Sequence, residues 1–157
     1  MTGFRRGVRL GIDVGRARIG VARSDPDGML AVPLETVPRG DGSIARLVEL
    51  TAEYEPVELL VGLPINLRGE DTASTADARD FAQELGRASG IPVRLIDERL
   101  STVTAHQALR ASGRSQRTTR GVIDQAAAVV LLQHAIDTEK NTGAPAGVPL
   151  ILDEETR

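Results

Sequence analysis

A chain of 157 residues has the length of one ordinary domain and can bury a real core without disulfides or a structural metal. It contains no cysteine, which excludes disulfide scaffolds, thiolate zinc sites and cysteine nucleophiles, so any chemistry must rest on oxygen and nitrogen groups. The formal net charge of -3 excludes a general nucleic-acid coater, and a nucleic acid would have to meet a local basic patch. Arg5, Arg6 and Arg9 lead into an alternating run rather than an apolar leader core, and no stretch reaches membrane-spanning length, so a cytoplasmic protein without membrane association is expected.

Val8, Leu10, Ile12 and Val14 alternate with the period of two that marks a strand. Gly15 supports a turn, residues 19–22 resume an extended pattern, and Asp25-Pro26-Asp27-Gly28 is dense turn chemistry before a third extended run over 30–37. These three strands form an antiparallel meander. Ile44, Leu47, Val48, Thr51 and Tyr54 then follow helical spacing, with Asp41 or Ser43 available as N-cap. Residues 57–63 are almost continuously apolar up to Pro64, as in a strand buried on both faces of a parallel sheet. Ala78, Phe81, Ala82 and Leu85 mark a second helix, and residues 93–96 a fifth strand ending in Asp97-Glu98. Two more helices are expected, one after Ser101 and one over about 122–137, where Ile123, Ala126, Ala127, Val130 and Leu131 make an apolar stripe.

The order βββ-α-β-α-β-α-α joins a meander to right-handed parallel crossovers, which predicts an α/β fold: a mixed five-stranded sheet with helices on both faces, the ribonuclease H-like arrangement. Residues 1–140 form its single domain in this reading. Residues 141–157, rich in Gly, Pro, Ala and charge, read as a flexible tail, although residues 148–152 have apolar character suited to docking.

Three acids stand out. Asp13 lies within an otherwise apolar strand, where a buried charge requires a cation or a donor; the alternative is a cap on the Gly15 turn or a pair with Arg16 or Arg18. Glu98 ends a parallel strand, on the sheet edge where α/β sites form, the alternative being a pair with Arg94 or Arg99. Its neighbour Asp97 should point the other way, so only one of the two can share a cleft with Asp13. Asp124 lies in the first turn of the last helix, a place where the helix dipole favours a carboxylate whatever its role. Together the three would repel one another unless a metal neutralised them, and with oxygen ligands alone the metal expected is Mg²⁺ or Mn²⁺.

The loop Gly62-Leu63-Pro64-Ile65-Asn66-Leu67-Arg68-Gly69 can bring backbone amides and Asn66 to a phosphate. Arg110, Arg114, Arg117 and Arg120, interleaved with Ser, Thr, Gly and Gln, make the best basic patch; a solvated inter-helix loop is the plainer account. His106 and His134 lack partners at metal-ligand spacing.

Four blocks in order, Gly11-Ile12-Asp13-Val14-Gly15 with Arg18-Ile19-Gly20-Val21-Ala22, Val61-Gly62-Leu63-Pro64, Asp97-Glu98-Arg99-Leu100-Ser101, and Ile123-Asp124-Gln125-Ala126-Ala127, resemble the YqgF/RuvX family over roughly residues 8–137. The resemblance implies a ribonuclease H-like fold, divalent-metal hydrolysis of phosphodiesters, and catalytic acids that match Asp13, Glu98 and Asp124. It also puts Arg18, Asn66, Arg99 and Ser101 beside those acids as substrate-binding or supporting residues, to which the patch adds Arg114 and Arg117. Members are described as nucleases of pre-16S ribosomal RNA or as Holliday junction resolvases, so the expected partner is ribosomal RNA or a ribosomal particle, with a four-way DNA junction as alternative. The acidic balance favours the former. A resolvase would require a two-fold dimer, and the sequence leaves monomer and homodimer open. Two other classes compete: sugar kinase and actin-like ATPases, which pair two such domains where this chain has length for one, and a nucleic-acid-binding protein that keeps the fold without activity.

Overall fold

A computed structural model describes residues 4–99 and 116–153, with side chains described from Gln125 onward in the last helix. The elements are β1 (Arg9–Val14), β2 (Arg18–Ser24), β3 (Ala31–Pro38), α1 (Ser43–Tyr54), β4 (Glu58–Leu63), α2 (Ala73–Ser89), β5 (Val93–Asp97), α3 (Gln116–Thr142) and β6 (Val148–Pro149). The helix expected after Ser101 falls outside the described residues.

One sheet, ordered β3-β2-β1-β4-β5-β6, holds the chain together. β1, β2 and β3 pair antiparallel as the expected meander, and β1, β4 and β5 pair parallel. Strand alternation divides the apolar residues between two layers. Leu10, Ile12, Val14, Leu59, Val61 and Leu63 meet Leu47 and Leu50 of α1 and Ala78, Phe81 and Leu85 of α2. Leu60, Ala22 and Ile96 meet Ala128, Leu131, Leu132 and Ile136 of α3 on the other face. Helices therefore cover both faces, as the α/β reading requires.

The sheet has six strands where five were expected. Leu95 pairs with Val148 and Arg94 with Pro149, and Leu150 N–H donates to Val93 O at 2.8 Å. Past the strand, Gln83 of α2 clasps the chain through both ends of its carboxamide: Nε2 donates to Ile151 O and Oε1 accepts from Asp153 N–H, each at 2.9 Å. The segment read as a flexible tail is thus anchored up to Asp153, because its backbone meets an open strand edge and a polar side chain that needs partners. Local caps differ as well. The α1 N-cap is Gly42, because the Ser43 hydroxyl is engaged in the preceding turn, accepting from Gly40 N–H at 2.7 Å and donating to Pro38 O at 2.9 Å.

Gly11 sets the approach of α3 to the sheet. A Cβ there would lie 2.8 Å from Leu132 Cβ and 2.9 Å from the Ala128 carbonyl oxygen, and backbone cannot yield as a side-chain tip can. Gly11→Ala is expected to lower stability by about 1–3 kcal/mol through overpacking, which urea unfolding at constant m-value would register.

Candidate active site at the carboxyl edge of the sheet

Asp13 is the one acid in β1, and its orientation follows from alternation: Gly11 and Asp13 face α3, while Leu10, Ile12 and Val14 face α1 and α2. In the paired register its neighbour on β2 is Gly20, and Gly20 is in turn opposite Thr36 of β3. On the β4 side, Ile12 pairs with Val61, so the residue one step further along β4 is Gly62. Asp13 thus stands in a row with a glycine on each side.

Glu98 occupies the space that Gly62 leaves. Its N–H donates to Leu63 O at 3.1 Å, extending the β4–β5 ladder by one step beyond Asp97. A Cβ on Gly62 would lie 2.5 Å from Glu98 Cγ and 2.6 Å from Cδ, with the carboxylate oxygen closer still. Across this gap the Glu98 carboxyl meets Asp13. Burial, then the hydrogen bond with Asp13, then the charges of Asp13 and Asp97 push the Glu98 carboxyl far above the usual carboxylate range. Glu98 therefore holds its proton more tightly than a free carboxyl does.

Asp97 and Glu98, adjacent in sequence, meet opposite fates. Asp97 turns to Arg99, whose Nη2 lies 2.6 Å from its Oδ2, and that hydrogen bond with the guanidinium holds the Asp97 carboxyl below its ordinary value. The Arg99 guanidinium is thus engaged by Asp97 at this strand end.

The third acid is placed by backbone alone. α3 runs antiparallel to β1: Glu139 meets Arg9, Leu132 and Ala128 meet Gly11, and Asp124 lies one helical turn further toward the α3 N-terminus. Its neighbour Gln125 donates from Nε2 to Thr36 Oγ1 at 2.7 Å, in the strand row that contains Gly20 and Asp13. The Asp124 backbone therefore lies at the level of Asp13. Among the described residues no cluster of three metal-ligating side chains is present, and the Asp124 side chain lies outside the description.

The other sequence candidates distribute unevenly. Arg18 opens β2 on the face that Asp13 occupies, two residues before Gly20, and is half-buried. Asn66 is held by its own loop: its Oδ1 accepts from Arg68 N–H at 3.0 Å and Glu70 N–H at 2.9 Å, an Asx-type turn. Arg99 is tied to Asp97. Ser101 and Arg114 lie outside the described residues, and Arg117 belongs to α3 with its side chain undescribed.

Arg39 was not signalled by any spacing in the sequence. Its guanidinium donates to the Gly15 carbonyl at 3.0 Å, forms a two-point pair with Asp77 of α2 at 2.8 and 2.9 Å, and lies 4.8 Å above the Phe81 ring. It ties the turn after Asp13 to α2, and with Arg16 and Asp77 it lines a hollow of about 420 Å³. Only the folded β3–α1 junction brings it there.

A mixed sheet in the β3-β2-β1-β4-β5 order with helices on both faces is the ribonuclease H-like fold. The fold likeness is seen in a solved RuvC of T. thermophilus in complex with a Holliday junction substrate, which aligns over 91% of this chain and 99% of that one with a TM-score of 0.56 at 22% identity. The family model described as "RuvX: Holliday junction resolvase" matches residues 7–138, and the chain belongs to that family. A relative from Clavibacter sepedonicus is 57% identical over 147 residues, covering 92% of this chain and 91% of the relative. One from Streptomyces coelicolor is 56% identical, covering 92% and 88%. Both bear the name "Putative pre-16S rRNA nuclease". No helix among the described residues is long and apolar enough to cross a membrane.

Proposed function

We propose that this chain is a divalent-metal-dependent endonuclease that hydrolyses phosphodiesters during 5′-end maturation of pre-16S ribosomal RNA. The Asp13–Glu98 pair across Gly62 carries this reading. Two carboxyls brought together in a partly buried row are placed to share a cation, and an all-oxygen donor set suits a hard dication such as Mg²⁺ or Mn²⁺. Asp13 and Glu98 would hold it from the strands and Asp124 from α3. When bound, such an ion supplies activation of water and stabilisation of the departing oxygen.

The remaining roles belong to the chain's own groups. Arg18, on the face of Asp13, supplies positive charge for the phosphate. Asn66 and Arg99 present donors from the loop after β4 and the end of β5, and Ser101, Arg114 and Arg117 are carried over from the sequence as further contacts to the substrate. The names of the relatives favour ribosomal RNA, and the description of the family favours a branched DNA.

Incubation of a 5′-extended small-subunit rRNA precursor with the protein and Mg²⁺ or Mn²⁺ is expected to give trimming that Asp13→Asn reduces by about a thousandfold or more, as befits loss of several kcal/mol of transition-state stabilisation. Paired symmetric nicks in a four-way DNA junction, with the RNA left intact, would make the chain a resolvase instead. Failure to cut either substrate would leave a nucleic-acid-binding protein.

A further inference from the structure

The loop that follows β4 is built to hold still. Ile65 and Asp71 bridge its two limbs, Asn66 N–H donates to Glu70 O at 3.1 Å, and Gly69 N–H donates to Asn66 O at 2.9 Å. Gly69 adopts φ 80°, in the left-handed region where glycine is favoured. Outside the turn, the Thr75 hydroxyl donates to Pro64 O, and Asp71 pairs with Arg79 at 3.0 Å. At the tip of this braced loop sits Leu67, 94% exposed and the most exposed large hydrophobic side chain among the described residues.

A lone exposed leucine carries little information; its setting carries more. Met29 and Leu30 are at the far end of the β2–β3 hairpin, Val57 precedes β4 at the opposite end from its loop, and Val148, Ile151 and Leu152 run along the β6 border. Leu67 alone of this group follows the strand whose Gly62 accommodates Glu98. Cations flank it: Arg68 is exposed beside it, and Arg99 Nη1 lies 3.3 Å from where a Gly69 Cβ would be. The chain has two Phe, one Tyr and no Trp, and all three aromatics are engaged elsewhere: Phe4 under Arg9 and Lys140, Tyr54 with Arg23, and Phe81 buried beneath Arg39. A stacking platform for bases is therefore not at hand in the described residues, and an aliphatic tip is the available apolar contact.

We propose that Leu67 is a wedge that packs against an unpaired base of single-stranded RNA, with Arg68 on the adjoining phosphate, so that the loop selects which phosphodiester reaches Asp13 and Glu98. Apolar side chains of this kind part base steps in other nucleic-acid complexes, and unstacked bases are the usual targets of RNA recognition. The proposal rests on the nuclease reading above and names the part of the substrate that its site grips.

The test uses the full chain and a 5′-extended small-subunit rRNA fragment carrying 2-aminopurine at one position at a time in the single-stranded extension, with a matching set of abasic RNAs. In the Asp13→Asn background, binding is expected to change the fluorescence at one or two adjacent positions; adding Leu67→Ser removes the change and Leu67→Phe preserves it. In the otherwise native chain, Leu67→Ser is expected to lower kcat/KM about tenfold to a hundredfold, the range for one buried leucine side chain. That loss should vanish on RNA abasic at the responsive position. An equal loss on intact and abasic RNA, or no loss on either, overturns the wedge. If the native chain cuts no RNA, the nuclease reading falls while the fluorescence still decides the wedge: a response that survives Leu67→Ser overturns it, and absence of RNA binding removes both.

Discussion

Gly62→Ala is expected to reduce metal-dependent cleavage by about a hundredfold or more, since it displaces a proposed ligand rather than a supporting partner, for which 10–100-fold is usual, while the protein stays folded. The added methyl coincides with Cγ, Cδ and a carboxylate oxygen of Glu98, which must swing out of the row. For the fold this is a small matter, because what yields is the far end of a flexible side chain at the sheet edge. Gly62 has no positive φ, so alanine is compatible with the backbone and reduces the entropy of the unfolded chain. For the site it is a large matter, because Glu98 can no longer meet Asp13. Mn²⁺ affinity by titration calorimetry should fall with kcat/KM, and the melting temperature should hold or rise slightly. Activity within threefold of the native chain would mean that the carboxyl pair is not the catalytic centre.

The second large effect lies at the opposite end of β1. Arg9 is 1% exposed and Glu139 3%, and Arg9 Nη2 lies 3.0 Å from Glu139 Oε2. Arg5 joins them: its backbone N–H donates to Glu139 Oε2 at 2.8 Å, and its Nη2 donates to Glu139 Oε1 at 2.7 Å and to Glu58 Oε1 at 3.1 Å. Glu139→Gln keeps the shape and removes the charge, leaving two guanidinium groups to the single carboxylate of Glu58. Breaking a buried pair in this way costs about 3–5 kcal/mol, to be read from the urea midpoint. The pH dependence has a definite sign. Burial alone would push the Glu139 carboxyl up, but hydrogen bonds from Arg5 and the charges of Arg9 and Arg5 outweigh it and hold the group below its ordinary 4.5. A lowered folded-state pKa contributes stability that is present above the unfolded value and lost as pH falls through the folded one. The native chain should therefore lose stability on acidification below about pH 4.5, and the Gln variant should lose less over the same interval. Equal acid slopes would remove Glu139 from the account.

The strands with regular alternation or an unbroken apolar run were legible from sequence: β1 through Leu10, Ile12 and Val14, and β4 through its continuous burial. β6 was not, because two exposed residues have no periodicity and are a strand only by virtue of the edge they meet. α3 is longer than its apolar stripe, running from Gln116 to Thr142, since helix ends carry polar residues that no stripe marks. At the site, the position of Asp13 in a strand and of Glu98 at a strand end could be read directly. Their meeting could not, since it depends on register: Gly62 matters because of what lies beside it on β5. Arg39 was hidden for the same reason, its contacts being products of neighbouring elements rather than of spacing.

Proline stands at both borders of the sheet. β6 is two residues long and ends in Pro149, and β3 carries Pro33 and Pro38 with a register shift in its pairing to β2. A proline offers no N–H to an incoming strand, and a bulged or very short border presents a poor template. Edge-to-edge growth, the route by which exposed sheets of separate molecules polymerise, is thereby discouraged on either side.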